Sequence, residues 1–109
     1  MSQWFECPYL GGQAELTDER ETHIAMRHAD MLPNLTELVS RTLEDPDAVH
    51  PSAEYEDRRL FSRWYDDLRG GKHVLVVVAT QTANATRNWI VTAHMLRKPV
   101  PGEALWRRS

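Results

Sequence analysis

Cysteine is almost absent from this sequence, which has only Cys7 among 109 residues. One thiol cannot form an intrachain disulfide or supply a cysteine-rich zinc site. The chain also lacks an HExxH motif, a glycine-rich phosphate loop after a strand and a serine in a nucleophile elbow. We therefore expect no metal and no cofactor, and nucleotide hydrolysis and acyl transfer have no support.

Long hydrophobic runs are missing as well. The most apolar stretch, Val74 to Ala79, is too short to span a membrane, and the first residues lack the basic and apolar regions of a signal peptide. With 41% hydrophobic residues in 109, the chain can bury one core. These features predict a single domain over residues 1–109, a cytoplasmic location and no membrane partner.

Basic residues are scarce in the first half of the chain, and acidic residues are scarce in the second half. Residues 1–57 have three Lys or Arg against 13 acids, a balance of −10, and residues 58–109 have 10 against three, a balance of +7. The second half could carry a positive field despite the acidic total, which suits a nucleic-acid ligand. The opposite halves could equally pair with each other.

Two strands organise the chain. Lys72 to Ala79 is rich in valine and predicts a central strand covered on both faces. Asn88 to His94 has its polar residues in one alternation class, so Ile90, Thr92 and His94 are expected on one face and Trp89, Val91 and Ala93 on the other. A hydroxyl and an imidazole on one face make the first candidate for a site.

The remaining elements are predicted from caps, spacing and turn residues. Thr17 caps a helix from about Asp18 to Asp30, and an apolar stripe (Leu35, Leu38, Val39, Leu43) predicts a second helix that ends before Asp45. Residues 1–16 are expected to form an N-terminal strand or hairpin, residues 48–50 and 58–65 two strands, and residues 97–109 a loosely attached C-terminal tail with an edge strand near 104–106. The fold class is α+β, with two N-terminal helices packed on an antiparallel sheet of about four strands.

Side chains that could do chemistry come from the first helix and the strands: His23, Arg27, His28, Arg59, Arg63, Lys72, Thr92 and His94. Imidazoles transfer protons near neutral pH, and cations and hydroxyls stabilise a phosphorane. Such a set can cleave RNA without a metal, or hold phosphate without cleaving it. Each of these residues could instead have only a structural role, as a histidine of the core, a threonine that favours a strand or a charged side chain exposed to solvent.

Several motifs in order resemble a known family. Leu16-Thr17-Asp18-Glu19-Arg20, His23-Ile24, Arg27-His28, the second helix ending at Asp45-Pro46-Asp47, the valine-rich strand and Ile90-Val91-Thr92-Ala93-His94 are together similar to the barnase/EndoU/colicin/RelE-like nucleases, in particular the phage-type branch. The likeness covers about Glu15 to Leu96. In that family a helical N-terminal part lies on a four-stranded antiparallel sheet.

The resemblance implies a metal-independent, toxin-like endoribonuclease that acts on RNA and has an inhibitor or antitoxin protein as a partner. It places catalytic residues at His23, His28, Arg59 and Thr92, and His94 stands where the family has an aromatic residue. We expect Arg27, Arg63, Lys72 and His94 to bind substrate. Two alternatives stay open: a non-catalytic RNA- or protein-binding module on the same fold, and a homodimer joined by its oppositely charged halves.

Overall fold

The computed structural model describes every residue from Met1 to Ser109. The strands are β1 (Gln3–Cys7), β2 (Gly12–Leu16), β3 (Ala48–Pro51), β4 (Arg58–Tyr65), β5 (Lys72–Gln81), β6 (Arg87–Leu96) and β7 (Trp106–Arg107). The helices are α1 (Asp18–Arg27) and α2 (Leu35–Glu44), and short 3-10 turns lie at Pro8–Leu10 and Ala29–Met31. The α+β class is confirmed.

All strands form one seven-stranded sheet in the order β1-β2-β6-β5-β4-β3-β7. The pairs are antiparallel except β2 and β6, which pair in parallel at Ala14↔Asn88 and Glu15↔Trp89. The prediction of an antiparallel sheet of about four strands is therefore wrong in detail. The predicted N-terminal hairpin is present, and it belongs to the same sheet. Its strand β2 pairs with backbone N–H and C=O groups of β6 that would otherwise be unpaired at the sheet edge.

The helices follow from local signals. The Thr17 hydroxyl accepts a hydrogen bond from the Arg20 backbone N–H at 3.2 Å, which satisfies one free donor of the first turn of α1. The α1 helix ends at Arg27, earlier than the predicted Asp30, and His28 becomes its C-terminal boundary residue. No helix in the protein combines the length and apolar character that crossing a membrane would require.

One core lies between the helices and one face of the sheet. The predicted apolar stripe of α2 is buried together with Val74, Val76 and Val78 of β5, which confirms that the two surfaces pack on each other. We call this side of the sheet the helix face. The buried Thr42 hydroxyl meets the Tyr65 hydroxyl at 2.9 Å, which joins α2 to β4 by a hydrogen bond inside this core.

A bulge in β6 changes which side chains share a face. Val77 of β5 pairs with Thr92, but the next residue, Val78, pairs with Ile90, so Val91 has no partner. Ile90 and Ala93 are consequently both buried in the core on the helix face. The predicted alternation over residues 89–94 is wrong because one extra residue in the strand reverses the phase after it.

We call the other side of the sheet the outer face. It carries Trp89, Thr92 and His94, because these residues pair with Ala79, Val77 and Leu75, which alternate with the core valines of β5. The prediction of a face shared by Thr92 and His94 therefore stands, with Trp89 in place of Ile90.

The C-terminal tail crosses part of the outer face. It leaves β6 after Leu96 and reaches β7, which pairs with β3 on the far side of β5 and β4. Val100 is buried, and so are Leu75 and Ser62 of the outer face, which no helix covers. The predicted edge strand is present at Trp106–Arg107, and the tail is attached more firmly than expected.

Candidate functional site

The edge of β6 beyond Trp89 brings several of the predicted site residues together. Pairing with β2 stops at Trp89, and α1 packs against β6 beyond that point. The Arg20 guanidinium donates from Nη1 to the carbonyl oxygen of Val91 at 3.3 Å. The bulge exposes this carbonyl at the sheet edge, and the bond ties α1 to β6.

Two imidazoles meet at this edge. The rings of His28 and His94 are stacked, with centroids 4.9 Å apart and planes inclined by 25°. Burial lowers the pKa of His94 below its usual value and the neighbouring His28 lowers it further, while Asp30 acts in the opposite direction. His94 is therefore largely neutral near pH 7. Its Nδ1 is buried without a hydrogen-bond partner.

His23 belongs to the same neighbourhood. Partial desolvation lowers the pKa of His23, and the charges of Arg20, Arg27 and His28 lower it further, against a smaller opposing effect of Glu19. These interactions place the imidazole within electrostatic range of two guanidiniums and of the stacked pair. A neutral His23 near pH 7 can accept a proton.

Thr92 lies on the outer face beside the imidazole pair. It is half-buried, and it stands two residues from His94 on the same face of β6, roughly 7 Å along the strand. We call the group that meets along α1 and β6 the edge cluster: Arg20, His23, Arg27, His28, Thr92 and His94. Five of the eight predicted site residues are members, and Arg20 was not among the predictions.

The three predicted cations of β4 and β5 lie elsewhere. Arg59 pairs with Val78, so it lies on the helix face, opposite to Thr92, and its Nη1 donates to the carbonyl oxygen of Glu56 at 3.0 Å. The Arg63 guanidinium bridges to the Asp45 carboxylate at 3.1 Å. Lys72 donates to the Arg69 carbonyl oxygen at 2.8 Å, within the β4–β5 turn. His23, Arg59 and Thr92 therefore do not converge in one cleft.

Concave surfaces do not coincide with the edge cluster. A cleft of about 310 Å³ lies between Tyr9, Glu44 and Trp106, and another of about 340 Å³ lies beside Arg59 and Thr80. A third cleft, of about 150 Å³, lies beside Arg41 and Arg63. The edge cluster borders none of the three, so a ligand there would meet an open surface. No group of three or more His, Cys, Asp or Glu side chains is placed to hold a metal ion.

The acidic and basic halves of the chain pair with each other inside one molecule. The ion pairs that join them are Arg58–Asp57, Arg63–Asp45, Arg87–Glu15, Arg108–Asp45 and Arg108–Asp47. Each takes its acid from residues 1–57 and its base from residues 58–109. The charge separation in the sequence is thus partly used within the fold, which leaves less of it for a second molecule.

These features define the chain as an α+β domain with a mixed seven-stranded sheet and a cluster of imidazole, guanidinium and hydroxyl groups at one strand edge. The sequence and fold match no protein-family model, no curated protein and no solved structure. The likeness to the barnase/EndoU/colicin/RelE-like nucleases therefore stays a prediction that rests on the motifs alone.

Proposed function

We propose that the protein is a metal-independent endoribonuclease whose reaction takes place at the edge cluster. The observation that carries the proposal is the stacked His28–His94 pair beside Thr92, with Arg20 at the same edge. Two imidazoles can supply the base and the acid of RNA transesterification, and His94 is held largely neutral by its burial.

The reaction assigns one role to each kind of group. A neutral imidazole, His94, takes the proton from a ribose 2′-hydroxyl, and the 2′-oxygen attacks the adjacent phosphorus. The bond from phosphorus to the 5′-oxygen breaks, and His28 gives that oxygen a proton. Arg20 and Arg27 offset the charge on the phosphorane and Thr92 donates to one of its oxygens. The products are a 2′,3′-cyclic phosphate and a free 5′-hydroxyl.

This proposal changes the roles expected from the sequence. His94, expected to bind substrate, replaces His23 as the proton-transfer partner of His28, because the rings of His28 and His94 are stacked. His23 stays close enough for His28 to lower the pKa of His23. Arg59 and Lys72, expected to hold phosphate, are replaced by Arg20 and Arg27.

The test is incubation of the purified protein with single-stranded RNA in EDTA, followed by analysis of the fragment ends. We expect His28→Ala and His94→Ala each to slow cleavage by about 10²–10⁴-fold. Arg59→Ala is the matched control, since its guanidinium lies on the opposite face and should leave the rate unchanged. A loss with Arg59→Ala but not with His94→Ala would move the site to the originally predicted residues. RNA left intact by the wild type would end the enzyme proposal.

A non-catalytic binding module is the second candidate. It is favoured by the open surface at the edge cluster and by the internal hydrogen bonds of Arg20, Arg59 and Lys72, which occupy three cations assigned to the phosphate. This candidate predicts RNA binding that weakens with salt and produces no cleaved ends. An inhibitor or antitoxin protein and a homodimer are further proposals, to be tested by co-purification and by sedimentation.

A further inference from the structure

One row of outer-face residues runs across five strands beside the edge cluster. The pairings Trp4↔Glu15, Glu15↔Trp89, Trp89↔Ala79 and Ala79↔Arg58 place these residues side by side. Trp4 and Trp89 lie two strands apart, or roughly 10 Å. The outer face thus carries two indoles at one end of the sheet, on the side opposite the helices.

The aromatic rings in and beside this row are accessible. Trp4 is 55% exposed, Tyr55 is 48% exposed, and Trp89 is half-buried. An indole that stays exposed to solvent on a strand contributes little to the core, and tryptophan is enriched at binding interfaces. This end of the outer face is therefore accessible at Trp4 and Tyr55, while Ala79, between Trp89 and Arg58 in the row, is fully buried.

Guanidinium groups are stacked on the same rings. Arg87 lies over the Trp89 ring at 4.9 Å from its centroid, and Arg58 lies over the Tyr55 ring at 3.8 Å. Arg87 is also held by a 3.1 Å ion pair with Glu15, which fixes it in the row. Flat rings and planar cations alternate here, which suits a ligand with flat bases and negative phosphates.

We infer that this row, Trp4, Glu15, Trp89, Ala79 and Arg58 together with Tyr55 and Arg87, is a stacking platform for single-stranded RNA. This inference rests on the proposed function, because it names the substrate class of the same site. Bases stack on Trp4 and on the Arg87 guanidinium that lies over Trp89. Phosphates compete with Asp57 for Arg58 and with Glu15 for Arg87. A duplex is excluded because its base faces are already stacked within the helix.

The platform continues into the edge cluster along β6. Trp89, Thr92 and His94 lie on the same outer face, and Trp89 is separated from His94 by roughly 13–17 Å of strand. An extended strand anchored at the two indoles would therefore pass Thr92 within a few nucleotides. The platform would position the scissile phosphate over the imidazole pair.

Binding is measured separately from cleavage by using a fluorescent 2′-O-methyl oligonucleotide, which lacks the attacking hydroxyl, and recording its anisotropy. We expect Trp4→Leu and Trp89→Leu each to weaken binding roughly 5- to 150-fold. Trp106→Leu is the matched control, because Trp106 is 40% exposed but pairs with Val49 on the helix face. The Trp106→Leu variant should bind the oligonucleotide with the affinity of the wild type. A duplex of the same sequence should bind the wild type more weakly than the single strand does.

Salt titration adds a second measurement. With Arg58 and Arg87 at the platform phosphates and Arg20 and Arg27 at the scissile phosphate, the logarithm of the affinity should fall against the logarithm of salt with a slope of about −2.8. Trp4→Leu changes an exposed residue, so it tests the platform even if Trp89→Leu proves unstable.

The outcomes separate this inference from the proposed function. If cleavage depends on His28 and His94 but both tryptophan variants bind normally, the platform is wrong and the ribonuclease stands. If the tryptophan variants lose binding while the wild type never cleaves, the platform stands on a binding module. Equal losses in all three tryptophan variants overturn the platform. The platform is also overturned if the wild type binds no oligonucleotide but self-associates through Trp4, because its partner would then be a second copy of the protein.

Discussion

The hydrogen bond between Thr42 and Tyr65 offers a quantitative test of how α2 is joined to the sheet. Both residues are buried, and their hydroxyl oxygens are 2.9 Å apart. The Tyr65 hydroxyl also lies 3.4 Å from the carbonyl oxygen of Leu38, a weaker contact. Burial raises the pKa of Tyr65, while the bond to Thr42 opposes that effect. Each of the two hydroxyls therefore depends on the other for its main hydrogen bond.

We propose a double-mutant cycle with Thr42→Val, Tyr65→Phe and the double variant. Thr42→Val leaves the Tyr65 hydroxyl with only the long contact to Leu38, so it should cost about 1–3 kcal/mol. Tyr65→Phe should cost about 0.5–1.5 kcal/mol, because the Thr42 hydroxyl can turn to the carbonyl oxygen four residues back in its own helix. The double variant removes both hydroxyls and should lose less than the sum of the two.

The assay is urea unfolding followed by circular dichroism, with thermal unfolding as a second measure. We expect a coupling energy of about 0.5–1.5 kcal/mol, and each kcal/mol should lower Tm by about 4–8 °C in a domain of this size. Glu44→Ala, at the exposed end of α2, is the control for changes in helix propensity. Strictly additive effects would refute the hydrogen bond between Thr42 and Tyr65.

Two further predictions concern the core and the tail. Leu38→Ala, at a buried position of α2, should lower the free energy of unfolding by about 2–5 kcal/mol, while the exposed Glu37→Ala should change it little; an unchanged Tm for Leu38→Ala would contradict the two-layer core. His50 is 3% exposed beneath the tail, and burial, aided by Arg107, lowers its pKa against a smaller opposing effect of the Gly102 backbone. As pH falls, His50 therefore binds a proton more readily in the unfolded chain than in the folded protein. Neutral His50 costs the fold nothing above about pH 6.5, and below that value the free energy of unfolding decreases by at most about 1.4 kcal/mol per pH unit. His50→Leu should flatten the dependence of unfolding free energy on pH between 7 and 5, and an unchanged slope would show that His50 is not the group responsible.

Local sequence signals predicted the helices and the central strand well. The cap at Thr17 and the stripe from Leu35 to Leu43 depend only on residues within a few turns of each other. The valine run of β5 predicts burial on both faces for the same reason, since no exposed strand would carry it. These elements are where the structure has them, apart from the earlier end of α1.

The candidate site was predicted in part. His23, His28, Thr92 and His94 do lie along α1 and β6. Thr92 and His94 share a face because they are two residues apart in a strand, and the contact of His28 with His94 arises where α1 ends beside β6. Arg59 was expected with them from its place in a basic, alternating strand. Its pairing with Val78 puts it on the other face, and nothing in the sequence of β4 alone shows which face that is.

Spacing along single elements was enough to predict the core stripe of α2, and the order of helices and strands was enough to predict the α+β class. Long-range contacts were needed to show that the N-terminal hairpin joins β6 in parallel, that Val91 bulges, and that the tail covers part of the outer face. These features escape the sequence because strand pairing is set by hydrogen bonds between residues far apart in the chain. A single extra residue in a strand also reverses every side chain beyond it, so the face on which a group acts is known only once the register is known.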